Sequence, residues 1–192
     1  MERRQAVKAL GAMAGAGLLL PDAVLARTGE ILEGAPPKRR FFNGTEKRIV
    51  AGFAECVVPR TDTPGAADVG APGWVEILVE DCYDYDDQLN FREGLMEIDQ
   101  AARDRFGKGF SRLPYDQQVQ LLTDIERSDI ARAIADRSMS PSFIRSFKDL
   151  VKFVYVSTER GANEAFSYVA IPGRYDGAAP LKTDTKVEAP VW

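Results

Sequence analysis

Between residues 43 and 157 the apolar side chains return at intervals of three and four, and no run alternates apolar with polar between hairpin turns. Intervals of three and four belong to a helix face, whereas alternation would belong to a strand. That single feature restricts the chain to an all-α fold. Asn43-Gly44-Thr45-Glu46 has capping-box spacing, which predicts a helix start. Ile49, Val50, Phe53, Ala54 and Val57 form its face down to Pro59, with Cys56 on or beside it. Arg60 to Gly73 reads as a loop, because Pro64-Gly65, Gly70 and Pro72-Gly73 are turn residues. A second helix follows, with Trp74, Ile77, Leu78 and Cys82 expected on one face.

A long third helix is expected from near Asp86 to Phe106, striped by Phe91, Leu95, Ile98 and Ala102 and ended by Gly107-Lys108-Gly109. Leu113-Pro114 opens a short fourth helix containing Val119, Leu122 and Ile125, and Ile130, Ala131 and Ile134 suggest a further turn or two. Ser140-Pro141 opens the last, with Ile144, Phe147, Val151 and Val154 on its stripe. The stretch from Val151 to Ser157 is β-rich in composition, yet the helical stripe enters it unbroken. The expectation is one small helical domain of about five to six helices. An irregular Gly/Pro/Tyr-rich segment closes it over residues 161–181, and residues 182–192 form a polar tail.

The N-terminus follows a different pattern. Arg3, Arg4 and Lys8 make a positive start, and Ala9 to Leu20 is uncharged but carries Gly11, Gly15 and Gly17. A membrane-crossing helix needs about 20 apolar residues, so this run is short for an anchor. Pro21 breaks it, and Val24-Leu25-Ala26 offers a cut after Ala26. The pattern is that of a twin-arginine export signal, which would deliver the chain through the twin-arginine translocase to the periplasm. An uncleaved N-terminal helix or a structureless segment are the other readings. The expected organisation is a signal over 1–26, a linker or arm over 27–42, the helical domain over 43–181 and the tail over 182–192.

Composition bounds the chemistry. The 192 residues include no histidine, which removes the imidazole base, the Ser-His-Asp triad and the ordinary His-containing metal site. A net charge of −4 gives no electrostatic footprint for nucleic acid. Neither a phosphate loop nor a dinucleotide-binding Gly-x-Gly-x-x-Gly occurs, and Gly107-Lys108-Gly109 is neither. No cofactor is therefore expected in this chain. Asp81, Asp84, Asp86 and Asp87 cluster without the glycine and glutamate of a calcium loop, so they read as a solvated loop and a helix cap. Cys56 and Cys82 allow two readings. They are two free thiols, or one disulfide closing a loop of about 26 residues and worth about 3.5 kcal/mol in the chain-entropy account.

The most distinctive stretch runs Thr158-Glu159-Arg160-Gly161-Ala162, then Tyr168, Pro172-Gly173-Arg174-Tyr175-Asp176-Gly177 and Pro180. It resembles the gluconate 2-dehydrogenase subunit 3 family, whose members carry Thr/Ser-Glu-x-Gly-Ala, a Tyr, then Pro-Gly-x-Tyr-x-Gly and a proline. Upstream, Val57-Val58-Pro59-Arg60-Thr61-Asp62-Thr63-Pro64-Gly65-Ala66 resembles the family's Ile-Pro-x-x-Asp-x-Pro-Gly-Ala segment. The resemblance spans residues 43–181. Many relatives have a cysteine after the Tyr-x-Gly, where this chain has Ala178, so no disulfide through that position carries over.

The resemblance implies a non-catalytic small subunit that accompanies a large flavoprotein of the glucose–methanol–choline type. That large subunit would hold FAD and oxidise a sugar or alcohol, and a multihaem cytochrome c often takes the electrons. Association with the membrane would come only through the complex. Thr158, Glu159, Gly161, Tyr168, Pro172, Gly173, Tyr175 and Gly177 are the candidate partner-contact residues. Two other classes remain open on the residues alone: a free-standing periplasmic binding protein, and an enzyme using carboxylates such as Glu159 or Glu164.

Overall fold

The computed structural model describes residues 41–135 and 142–167. These residues form five α-helices and no β-strand, the all-α architecture that the apolar spacing demands. Helix α1 spans Gly44–Val57 and begins with the expected capping box. Asn43 Oδ1 accepts from the Thr45 and Glu46 amides at 2.9 and 3.0 Å. Glu46 Oε2 accepts in return from the Asn43 amide at 2.7 Å. Reciprocal bonds of this kind satisfy donors that a helix start otherwise leaves bare.

Helix α2, Ala71–Cys82, enters through Gly70 at φ 72, a left-handed conformation that favours glycine. Its buried face differs from the sequence expectation. Val75 and Val79 are fully buried and Ile77 is buried, whereas Trp74 and Leu78 are half-buried and Cys82 is exposed. The reason is that α2 packs against both α1 and α5, which rotates the valine pair inward and moves the larger side chains to the flank. Helix α3, Tyr85–Phe106, starts at the Asp84 cap, whose Oδ1 accepts from the Asp87 amide at 2.9 Å. It stops at Gly107, φ 68. The expected stripe of Phe91, Leu95, Ile98 and Ala102 is buried throughout.

A 3-10 turn at Phe110–Arg112 buries Phe110. Helix α4 then runs unbroken from Tyr115 to Ala135. The expected short helix and extra turns are one element, and Ile130 and Ile134 stand exposed near its end. Helix α5, Phe143–Ser157, is capped by Ser142, and Ile144, Phe147, Val151 and Val154 are buried as their spacing predicts. The expected start at Ser140-Pro141 lies outside the described residues. A π-helical turn, Gly161–Ala165, follows where an irregular segment was expected.

Aromatic rings join these elements. Phe53 of α1 stacks on Phe147 of α5 with centroids 3.9 Å apart. Phe91 of α3 meets Phe147 edge-on at 5.0 Å and stacks with Phe42 at 5.7 Å. Burying one such ring stabilises the fold by roughly 1.5–3 kcal/mol. Three buried carboxylates tie the periphery to this core. Glu76 accepts from the Phe42 amide at 2.9 Å and pairs with Lys47 at 2.9 Å. Asp99 accepts from the Phe110 amide at 2.8 Å and from Arg103. Glu46 receives Arg92 in a two-point bond at 3.0 and 3.1 Å. Each carboxylate is paired, which offsets the cost of taking it out of water.

Cys56 and Cys82 are free thiols, which corrects the disulfide reading. Cys56 lies on α1 with its Sγ 3.8 Å from Gln118 Oε1, while Cys82 is exposed at the end of α2. Burial and the neighbouring Glu55 push the Cys56 thiol up to about 11. No helix among the described residues is long and apolar enough to cross a membrane. No three metal-binding side chains among the described residues cluster as a metal site would require.

Candidate partner-contact surface

Helix α1 hands over at Val58 to a loop that turns back on itself over residues 59–70. The Ala66 amide bonds the Val58 carbonyl at 2.9 Å. Glu55, on the last turn of α1, accepts the Arg60 amide at 3.0 Å with one oxygen and the Ala67 amide at 3.3 Å with the other. Asp68 accepts the Gly65 amide at 2.9 Å and pairs with Arg60 at 3.3 Å. Carboxylates here replace the secondary-structure partners that a loop backbone lacks.

The end of α5 is folded in the same way. Thr158 donates its hydroxyl to the Tyr155 carbonyl at 2.8 Å and accepts from the Gly161 amide at 3.1 Å. The chain then turns so tightly that a Cβ at Gly161 would stand 2.0 Å from the Tyr155 carbonyl oxygen. Only glycine fits this approach.

The two segments meet. Tyr155 donates its buried hydroxyl to the Pro64 carbonyl at 2.6 Å. Arg160 donates to the Asp68 carbonyl at 2.6 Å and to Glu164 at 2.8 Å. Burial raises the Tyr155 hydroxyl above the ordinary tyrosine range, because the charged form would lose its solvation. The stretch from Val57 to Ala66 and the stretch from Thr158 to Ala162, the two that carry the family resemblance, are thus tied together through the residues just beside them, Tyr155 bonding the first and Asp68 the second.

Of the predicted contact residues, Thr158 is half-buried with its hydroxyl engaged within the chain, Gly161 is buried, and Glu159 is exposed. Glu164 is exposed and bonded to Arg160. Tyr168, Pro172, Gly173, Tyr175 and Gly177 lie outside the described residues, as do Arg3, Arg4, Lys8 and Ala26. Sequence reasoning missed the roles of Tyr155, Glu55 and Asp68. Their acceptors and donors are mostly backbone groups, which leave no mark in the side-chain pattern. The aspartates at 81, 84, 86 and 87 are exposed, with Asp84 serving as the α3 cap.

A cleft of about 740 Å³ opens between α3, the last turns of α4 and the first turns of α5. Ile98, Ile125 and Phe143 are among its lining. Part of its charged rim is self-paired, with Lys148 on Glu126 at 2.7 Å and Arg132 on Asp129.

The sequence model of the gluconate 2-dehydrogenase subunit 3 family matches residues 44–173. The chain belongs to that family. No curated protein and no solved structure matches it. The family match starts with the first residue of α1 and takes in both halves of the Tyr155–Pro64 tie. By the family's name, this subunit 3 chain is a component of a multi-subunit dehydrogenase.

Proposed function

We propose that this chain is the non-catalytic small subunit of an exported flavin-dependent sugar or alcohol dehydrogenase. It binds and stabilises an FAD-bearing large subunit of the glucose–methanol–choline type and supplies that subunit's twin-arginine export signal. The family match over residues 44–173 carries the reading. Two features of the sequence support it: no histidine for acid–base work, and no dinucleotide motif. FAD belongs to the large subunit in this reading, and haem c to a cytochrome where one is present. The twin-arginine route moves folded proteins, which suits a flavin loaded in the cytoplasm. Arg3 and Arg4 then serve the complex rather than this domain alone.

Co-expression tests the reading. The large subunit is produced with the wild-type chain, without it, and with the Arg3→Lys/Arg4→Lys variant. The expected result is a stable, active, periplasmic large subunit only in the first case, with the variant leaving it folded in the cytoplasm. A large subunit that is exported, stable and active alone would overturn the proposal.

A further inference from the structure

The outward face of α3 is apolar in a regular way. Tyr85 is 73% exposed, Leu89 41% and Met96 64%. Single exposed apolar residues are ordinary on protein surfaces. These three are spaced by four and by seven, which places them in one row along about 16 Å of helix. Arg92 stands in the same row, fixed by its two-point bond to Glu46 and lying over the Phe41 ring at 5.5 Å. Tyrosine, methionine and arginine are the residue types enriched where proteins touch.

A second row runs beside the first. Asp86, Glu93 and Glu97 are all exposed, and their spacing of seven and four sets them about a quarter turn round the helix from the apolar row. The surface is therefore an apolar stripe with a negative flank. An antiparallel second copy docked on it would set the acidic row against itself, which is repulsive. A helix with apolar anchors at matching intervals and lysine or arginine along one flank fits both rows.

We propose that the Tyr85–Leu89–Met96 stripe of α3, with the acidic row Asp86–Glu93–Glu97 at its side, receives a basic-flanked amphipathic helix of the flavin-bearing subunit. This rests on the reading of the chain as that subunit's partner. It assigns the contact to a helix face remote in sequence from the Thr158–Gly177 segment.

The flavin-bearing subunit that co-purifies with the full chain is separated from it, and the two are titrated against each other at low and high salt. Leu89→Ser/Met96→Ser is expected to weaken association about thirty-fold, the loss of one hot-spot cluster. Glu93→Lys/Glu97→Lys is expected to weaken it at low salt and to abolish its salt dependence. Ile130→Ser/Ile134→Ser, on the exposed end of α4, is expected to change nothing. A photo-crosslinking residue at position 96 is expected to label a flavoprotein helix flanked by lysine or arginine. All of these substitutions are at exposed positions, and unchanged unfolding midpoints show that the variants fold. Both α3 variants binding like wild type, or the α4 variant alone losing affinity, would overturn the inference and leave the subunit reading intact. Failure of the wild-type chain to bind any flavin-bearing subunit would overturn both.

Discussion

Replacing Tyr155 by phenylalanine removes one oxygen and leaves the ring. The ring keeps its edge contact with Phe166, centroids 6.5 Å apart, so packing is preserved. What is lost is the buried 2.6 Å bond to the Pro64 carbonyl. A buried acceptor left without its donor costs about 2 kcal/mol. In urea, where a domain of this size changes by about 2 kcal/mol per molar, the midpoint should fall by about 1 M with an unchanged slope. The melting temperature should fall by about 4–8 °C. Amide exchange gives a local readout: the Ala66 amide, bonded to Val58 at 2.9 Å, should lose protection more than amides in α3. There is also a pH signature. Burial raises the Tyr155 hydroxyl, so its stabilisation is complete below the ordinary tyrosine value near 10 and is lost as pH climbs through the raised value. Wild type should lose stability on that alkaline limb, and Tyr155→Phe should lose less. Tyr83 and Tyr115 are also raised by burial, so a residual slope should remain. A urea midpoint shift under about 0.25 M, or loop exchange equal to wild type, would refute the claim that this bond ties the loop down.

Three further outcomes follow from the same geometry. Gly161→Ala places a methyl 2.0 Å from a backbone oxygen that cannot rotate away, and equilibrium unfolding should show a loss of about 3 kcal/mol. Phe147→Ala empties the ring stack at the centre of the fold, and the same melts should show about 4 kcal/mol lost. Thiol titration at neutral pH should register Cys82 rapidly, since it is exposed. Cys56, pushed up to about 11, should react only after denaturant is added.

The helices whose apolar residues form one narrow stripe were legible in the sequence. In α3 and α5 every residue of the expected stripe is buried, and the α1 start was visible because Asn43 and Glu46 lie three apart. Helix α2 was misread because Trp74, Val75, Ile77, Leu78 and Val79 spread over more than half of its circumference, so size and hydrophobicity did not distinguish Val75 from Trp74. Helix α4 was read as broken because Arg127-Ser128-Asp129 interrupts its apolar pattern. Polar residues end a buried face without ending a helix. The family resemblance located the two segments around Pro64 and Gly161. Their bonding to each other was hidden, because Tyr155 reaches a main-chain carbonyl far away in the sequence.

The stacked pair Phe53 and Phe147 bears on the order of events during synthesis. One ring sits on the first helix of the domain and the other on the last. While a ribosome is still making α4, Phe53 lacks the face it will lie against, and Phe91 lacks two of its edge partners, Phe143 and Phe147. The core is therefore complete only after α5 has emerged. A partner that recognises the finished domain would meet it only after α5 has emerged from the ribosome.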